Sequence, residues 1–160
     1  MNLSKNFTYR EMIKSKTATK LGIKNAPNDR EINNANYLCE QTLQPLRNWY
    51  NVSVLLNSWF RCKKLNDSVG STDSSLHRIA AAVDINEVGN IPLIEVVEFI
   101  YNNLPFTELI AEYLPNGWIH LGTIEGRENE RTLKIKDKNY NYVKCKNLED
   151  LRKKLNGRTI

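Results

Sequence analysis

The chain alternates between stretches with helical hydrophobic spacing and short apolar runs. Apolar residues recur every three or four positions over 32–49, which predicts an amphipathic helix of about five turns. Pro45 is expected to bend this helix or to begin a separate turn, because proline has no amide hydrogen to donate. A second amphipathic helix is predicted after Pro92. Capping-box pairs predict the start of the long helix and of a short helix over 9–15: Asn28 with Glu31, and Thr8 with Glu11.

Short β-rich or small apolar runs, bounded by turn-forming residues, predict the strands. The runs cover residues 52–60, 80–85, 107–114, 118–124, 133–135 and 140–145. The last two runs predict a hairpin around 137–139, and Asn147 is expected to cap a final basic helix over 148–155. These elements together predict an α+β fold, in which a small antiparallel sheet is packed by two or three helices.

Composition limits the class of protein without indicating its chemistry. With 160 residues, 41% of them apolar, the chain is expected to form a single domain over residues 1–160. No apolar run reaches the ~20 residues that span a bilayer, and the N-terminus lacks the apolar segment of a secretory signal. These features predict a protein that is made in the cytoplasm and has no membrane span, and we expect it to be a monomer. The net charge of +5 is compatible with anionic surfaces, but it does not require a nucleic-acid partner, and none is predicted.

The cysteines do not form a recognisable framework. Cys39, Cys62 and Cys145 are an odd number of widely spaced residues outside any CxxC motif. We therefore expect buried thiols rather than disulfides or a cysteine-ligated zinc site.

The chain contains only two histidines, and both stand near predicted strands. His77 precedes Asp84 by seven residues, and His120 lies in the run 118–124. A zinc hydrolase site needs about three protein ligands and one position for water, and these three residues would supply the ligands. An ideal strand would place His77 and Asp84 on opposite faces, so a loop must lie between them. Alternatively, both histidines are ordinary core or surface residues and Asp84 caps a turn.

The predicted hairpin that contains His120 could bring a carboxylate beside it. A three-residue turn over 115–117, with its glycine in the left-handed conformation, pairs Glu112 with His120 on one face of the sheet. In that register Glu108 lies on the same side of the strand. A two-residue turn would instead pair His120 with Tyr113 and direct Glu112 away from it.

Several motifs occur in a fixed order and together indicate a family. The chain has a Ser-Trp-Phe-Arg-Cys run at 58–62 and a Phe-Thr-Glu-Leu-Ile-Ala-Glu run at 106–112. The remaining motif residues are Ser75, His77, Ala82 and Asp84, then Trp118 and His120. In these motifs, residues 7–123 resemble the M15 family of zinc peptidases, which includes D-Ala-D-Ala carboxypeptidases and L-Ala-D-Glu endopeptidases. The resemblance is to its small carboxypeptidase-like branch from bacteria and phages, which shows Ser-x-His-x-x-Gly-x-Ala-x-Asp followed by Trp-x-His.

The resemblance implies a fold and a set of roles. The fold would be that of D-Ala-D-Ala carboxypeptidases and hedgehog-like peptidases, with a single zinc ion in a cleft. Arg61 would bind a substrate carboxylate or polarise its carbonyl, Ser75 would orient the metal loop, and Trp118 would contact the substrate. On the residues alone, Arg61 could equally be a structural salt-bridge partner and Ser75 a simple cap. The implied zinc ligands are His77, Asp84 and His120.

The chain departs from the family pattern at three positions near the site. Ala80 stands where the family usually has glycine, so a residue that tolerates unusual backbone angles is lost. Trp59 also replaces a glycine and could narrow the cleft. Gly117 stands where many members carry the catalytic acid. We therefore predict Glu112 as the catalytic base, with Glu108 as the second choice.

The predicted function is the hydrolysis of a peptide bond in peptidoglycan stem peptides, of the D-Ala-D-Ala carboxypeptidase or L-Ala-D-Glu endopeptidase type. Glu112 and Arg61 would be its catalytic side chains, and Zn²⁺ its cofactor. The enzyme would act on the cell wall after release from the cytoplasm or in association with a phage. The alternative is a non-catalytic wall-binding protein or phage structural protein that keeps the same fold.

Overall fold

The computed structural model describes residues 1–136, 139 and 141–157. Of the predicted tail hairpin, Asp137, Lys138 and Tyr140 lie outside the described residues. Across the described ranges, no helix is long and apolar enough to cross a membrane. The α-helices are α1 (Tyr9–Ile13), α2 (Lys16–Lys20), α3 (Asp29–Leu38), α4 (Gln44–Tyr50), α5 (Lys63–Ser68), α6 (Leu93–Asn103) and α7 (Leu148–Asn156).

The strands form a six-stranded sheet in the order β1-β2-β4-β3-β5-β6. Neighbouring strands are antiparallel, except that β3 and β5 run parallel. The predicted α+β class is confirmed, and the predicted antiparallel sheet is confirmed except for the parallel pair of β3 and β5. The strands are β1 (Val54–Ser58), β2 (Ala82–Val88), β3 (Glu108–Glu112), β4 (Trp118–Gly122), β5 (Thr132–Lys136) and β6 (Tyr142–Cys145).

The sheet has one apolar face and one polar face. Alternate residues of a strand point to opposite faces, and directly paired residues share a face. Ile85, Ile119 and Ala111 follow one another across β2, β4 and β3 and are fully buried in the core. Helices α6 and α7 pack beside these strands and β5. Asp84 and His120 pair on the opposite, polar face, which therefore positions the candidate site.

Two predicted helices begin at the capping boxes that the sequence indicated. Both capping boxes form, at Thr8 with Glu11 and at Asn28 with Glu31. The predicted long helix is divided into α3 and α4 by a π-helical turn over Cys39–Leu43, and Pro45 lies at the start of α4. The π-helical turn lies next to Pro45, which has no amide hydrogen for a helical hydrogen bond. The predicted interruption of the long helix at Pro45 is therefore confirmed.

The predicted register of the β3–β4 hairpin is wrong. Glu112 pairs with Trp118, and His120 pairs with Ile110, because five residues rather than two or three connect the strands. Gly117 does not adopt the predicted left-handed conformation. A Cβ atom there would lie 1.8 Å from the carbonyl oxygen of Glu112, so close backbone approach requires the glycine. The true register differs from the three-residue prediction by two places, which keeps Glu112 on the face of His120.

The cysteine prediction is largely confirmed. Cys39 and Cys145 are buried thiols, and Cys62 is a half-buried thiol.

Candidate metal centre

Three buried side chains converge on one point of the polar sheet face. Asp84 Oδ1 lies 3.2 Å from His77 Nε2 and 3.0 Å from His120 Nδ1, and the two histidine nitrogens are 3.2 Å apart. They form a group that could hold a metal ion. The three residues proposed as ligands from the sequence are therefore brought together.

The local backbone explains how residues from three segments meet. Asp84 in β2 is paired directly with His120 in β4, so their side chains share a face. His77 lies in a 3-10 turn, Leu76–Ile79, which ends at Ala80 in the left-handed conformation, with φ of 57°. This turn is the loop that the spacing of His77 and Asp84 required.

Each candidate ligand has a second partner that orients it. His77 Nδ1 donates to the carbonyl oxygen of Trp59 over 2.6 Å, which leaves the lone pair of Nε2 facing the other two ligands. Asp84 Oδ2 accepts a hydrogen bond of 2.9 Å from Arg61 Nη2. His120 Nε2 lies 3.5 Å from Glu108 Oε1. Partners of this kind fix the ring orientation and tautomer of metal-binding histidines.

The donor set fits a zinc ion in chemistry and in spacing. Zinc accepts imidazole nitrogen and carboxylate oxygen at about 2.0–2.1 Å, and a tetrahedron with such bonds separates neighbouring ligands by about 3.3–3.4 Å. The observed separations of 3.0–3.2 Å between donor atoms are close to that edge length. Three protein ligands also leave a fourth position of the tetrahedron for water or substrate.

The protonation of the three groups reflects their mutual contacts. Burial lowers the pKa of His77, which favours the neutral ring that binds metal. Burial alone would raise the pKa of Asp84, but the adjacent His77 and His120 hold it well below its usual range. Burial alone would lower the pKa of His120, but hydrogen bonds to Asp84 and Glu108 outweigh it and raise the pKa to about 9.

Two carboxylates of β3 share a cavity of about 450 Å³ with His120. Glu108 and Glu112 are two places from Ile110, the partner of His120, and so they share its face. Burial raises the pKa of Glu112. Burial acts in the same direction on Glu108, but hydrogen bonds from His120 and Lys134 outweigh it and lower its pKa to about 2. The two carboxylates therefore stand in different electrostatic environments.

A second cavity of about 660 Å³ lies on the Asp84 side of the site. Arg61 and Trp118 both line it, and Arg61 is fixed by Asp84 and by Ser58, whose Oγ accepts from Nε over 2.9 Å. Arg61 is thus a salt-bridge partner that also faces a cleft. Ser75 lines the first cavity and makes no side-chain cap to its turn, so the simple capping interpretation is wrong.

The two glycine replacements near the site contact each other. Trp59 is 1% exposed and lies in the core, so it does not line the cleft that it was expected to narrow. Its indole Nε1 donates to the carbonyl oxygen of Ala80 over 3.1 Å. Ala80 keeps the left-handed conformation that was expected to be lost with glycine. Trp59 thereby holds both His77 and the turn that follows it.

Two lysines of β5 contact the carboxylates of β3 and were not predicted from the sequence. Lys134 pairs with Glu108, and Lys136 Nζ lies 3.2 Å from Glu112 Oε2. The alternation of polar and apolar residues over 132–136 indicates a strand with one polar face. The partner of that strand was not predictable, because the strand pairs in parallel with β3, and the paired residues are 24 positions apart in the chain.

Comparison with protein families assigns most of the chain to a known family. A family model described as Peptidase M15 matches residues 5–122, which is more than half of the chain. The matched region includes the three candidate ligands, Arg61 and both β3 carboxylates, and it ends with the last residue of β4. No curated protein matches the chain.

Proposed function

The chain belongs to the peptidase M15 family, and from this premise we propose that it is a zinc-dependent peptidase of peptidoglycan stem peptides. The bond would be of the D-Ala-D-Ala or the L-Ala-D-Glu type. The observation that carries the proposal is the convergence of His77, Asp84 and His120 at zinc-like separations beside a cleft with two further carboxylates.

The proposed zinc ligands are His77 Nε2, Asp84 Oδ1 and His120 Nδ1. When bound there, zinc would lower the pKa of a water molecule and polarise the scissile carbonyl. Arg61 would hold Asp84 Oδ2 and thereby direct Oδ1 toward the metal position. Glu108 would hold His120 Nε2 so that Nδ1 faces the same position.

Of the two carboxylates, Glu112 is the better candidate for the base. Glu108 is already engaged by His120 and Lys134, which keep it ionised and weakly basic. Burial raises the pKa of Glu112, and a base with a raised pKa is better matched to proton transfer near neutral pH. Glu112 would take a proton from the attacking water and return it to the leaving amine.

The cleft offers groups for binding the substrate on the other side of the metal position. Arg61 would bind a substrate carboxylate or polarise a carbonyl, because it lines the second cavity and its guanidinium also holds Asp84. Trp118 would offer an aromatic surface in the same cavity, and Ser75 would contact the peptide from the first cavity. The net charge of +5 suits the polyanionic cell wall, which the enzyme would reach after release from the cytoplasm or with a phage.

The proposal is tested by incubating zinc-loaded protein with purified peptidoglycan and identifying the released products by mass spectrometry. We expect cleavage by the wild type and a loss of roughly 10²- to 10⁴-fold in Glu112→Gln, which should still bind zinc. Glu87→Gln is the matched control, since Glu87 is an exposed carboxylate of β2, and it should cut like the wild type. Zinc binding without product from any wall type would contradict the peptidase and favour the wall-binding alternative.

A further inference from the structure

The strand β5 lies outside the matched region but beside the proposed base. It pairs in parallel with β3, in a register that sets Thr132 opposite Glu108 and Lys136 opposite Glu112. Directly paired residues of neighbouring strands share a face. The side chain of Lys136 therefore lies on the polar face, next to Glu112.

Lys136 is held in place at this carboxylate from three sides. Its Nζ is 3.2 Å from Glu112 Oε2, and the two side chains are 19% and 6% exposed. The ammonium also lies 4.8 Å from the centre of the Tyr142 ring and 5.3 Å from that of Tyr113. A largely buried ion pair with such packing is restrained far more than an exposed surface pair.

Lys136 and burial have opposite effects on the pKa of Glu112. The charged groups that face the Glu112 carboxylate are Lys136 from β5, His120 from β4 and Asp84 from β2. Burial and Asp84 favour the protonated acid, whereas Lys136 and His120 favour the carboxylate. Of these groups, Lys136 is the one that pairs with it directly.

We infer that Lys136 is a positioning residue for the reaction, which holds the Glu112 carboxylate in a fixed orientation on the metal side of the sheet and favours its charged form. The site would then be completed by a strand that follows the family region. The inference rests on the proposed function, because it gives Lys136 a role in the reaction only if Glu112 is the base.

The test compares Lys136→Met, Lys136→Arg and Lys144→Met in zinc-loaded protein. Lys144 pairs with Lys134 on the same sheet face and is exposed, so its replacement removes an equal charge without touching Glu112. The measurements are the pH dependence of peptidoglycan cleavage, zinc affinity, the melting temperature, and the titration of the Glu112 carboxyl by carbon NMR.

For Lys136→Met we expect kcat to fall roughly 10- to 100-fold, with KM little changed. The acidic limb of the rate profile and the NMR titration of Glu112 should both move up by about one pH unit, because a neighbouring cation is lost. Zinc affinity should stay at the wild-type value, Lys136→Arg should recover most of the rate, and Lys144→Met should match the wild type.

An unchanged Glu112 titration in Lys136→Met, or a rate and pH profile equal to those of Lys144→Met, would overturn the inference. A parallel loss of zinc or of folding would also overturn it, because the role would then be structural. If the wild type cuts no peptidoglycan, the proposed function fails instead, and the NMR titration still decides whether Lys136 controls Glu112.

Discussion

At the scale of single residues, the site separates two chemically identical side chains. Glu108 and Glu112 lie on one strand face, but their neighbours differ. Glu108 contacts His120 and Lys134, which lower its pKa to about 2, whereas burial raises the pKa of Glu112. Pairs of acids whose environments move their pKa values apart are typical of division between a supporting and a reacting role.

This division predicts that two matched substitutions differ in their effect on zinc binding. Glu108→Gln should weaken zinc binding by roughly 10- to 100-fold, because His120 loses the carboxylate that orients its ring. Glu112→Gln should leave zinc affinity unchanged. Competition with a chromophoric chelator measures both. Wild-type zinc affinity in Glu108→Gln would show that Glu108 does not support His120.

The burial of the cysteines predicts a difference in their rates of alkylation. Burial raises the pKa of Cys39 to about 12, so at pH 8 to 9 it remains a protonated thiol that alkylating reagents attack slowly. Half-buried Cys62 should react first. Mass spectrometry after brief iodoacetamide treatment identifies the modified residue, and all three cysteines should react in denaturant. Equal native rates for Cys39 and Cys62 would contradict the described burial.

At the scale of elements, short sequence motifs predicted where helices begin, but they did not predict how the strands pair. The capping boxes at Thr8 and Asn28 form as expected, because their hydrogen bonds are made within three residues. Helix α2 was not predicted, because the hydroxyl of Ser15 accepts from the amide of Ala18 without a capping box to signal it. The hairpin register depends on a five-residue connection. Gly117 is required there by close backbone approach, not by the left-handed conformation that was predicted.

In the candidate site, too, local motifs were predictable and long-range contacts were not. The ligand set could be predicted because its residues belong to short motifs, and the structure brings the three together. The partners Lys134 and Lys136 could not be predicted, because they reach the site through a parallel strand pair far apart in the chain. Where a side chain meets the site through tertiary pairing, the sequence alone carries no local signal.

The hairpin connection predicts a stability difference between two glycine replacements. Gly117→Ala should lower the free energy of unfolding by about 3 kcal/mol, because its Cβ would meet backbone of Glu112 at 1.8 Å. Gly70→Ala should cost only about 1 kcal/mol, since Gly70 has a positive φ but open space around it. Urea unfolding of both variants measures the difference. A smaller loss for Gly117→Ala than for Gly70→Ala would contradict the close approach.

At the scale of the whole molecule, one face of the sheet forms the core and the other carries the candidate site. Its apolar face is covered by helices, and its polar face carries the candidate ligands, Arg61 and the paired carboxylates and lysines. A metal ion on that face would join β2, β4 and the turn that contains His77. Binding of the metal should therefore stabilise the folded chain and depend on the protons that the ligands hold.

This coupling predicts the pH dependence of zinc binding. In the metal-free protein, hydrogen bonds to Asp84 and Glu108 raise the pKa of His120 to about 9, so at pH 7 its ring carries a proton that zinc must displace. Zinc affinity should rise about tenfold per pH unit from pH 6 to about 9, with about one proton released per zinc at pH 7. Calorimetry in buffers of different ionisation enthalpy measures both. Equal affinity at pH 6 and pH 8 would contradict the protonated state of His120.

The central claim is that His77, Asp84 and His120 hold one zinc ion, and the zinc content of each variant after dialysis tests it most directly. The wild type should retain one zinc per chain. His120→Ala and Asp84→Asn should fold like the wild type but retain almost no zinc. Cys62→Ser should keep the full zinc content, because no thiol takes part in the described ligand group. A wild type that binds no zinc from excess metal, or ligand variants that keep the wild-type content, would contradict the account.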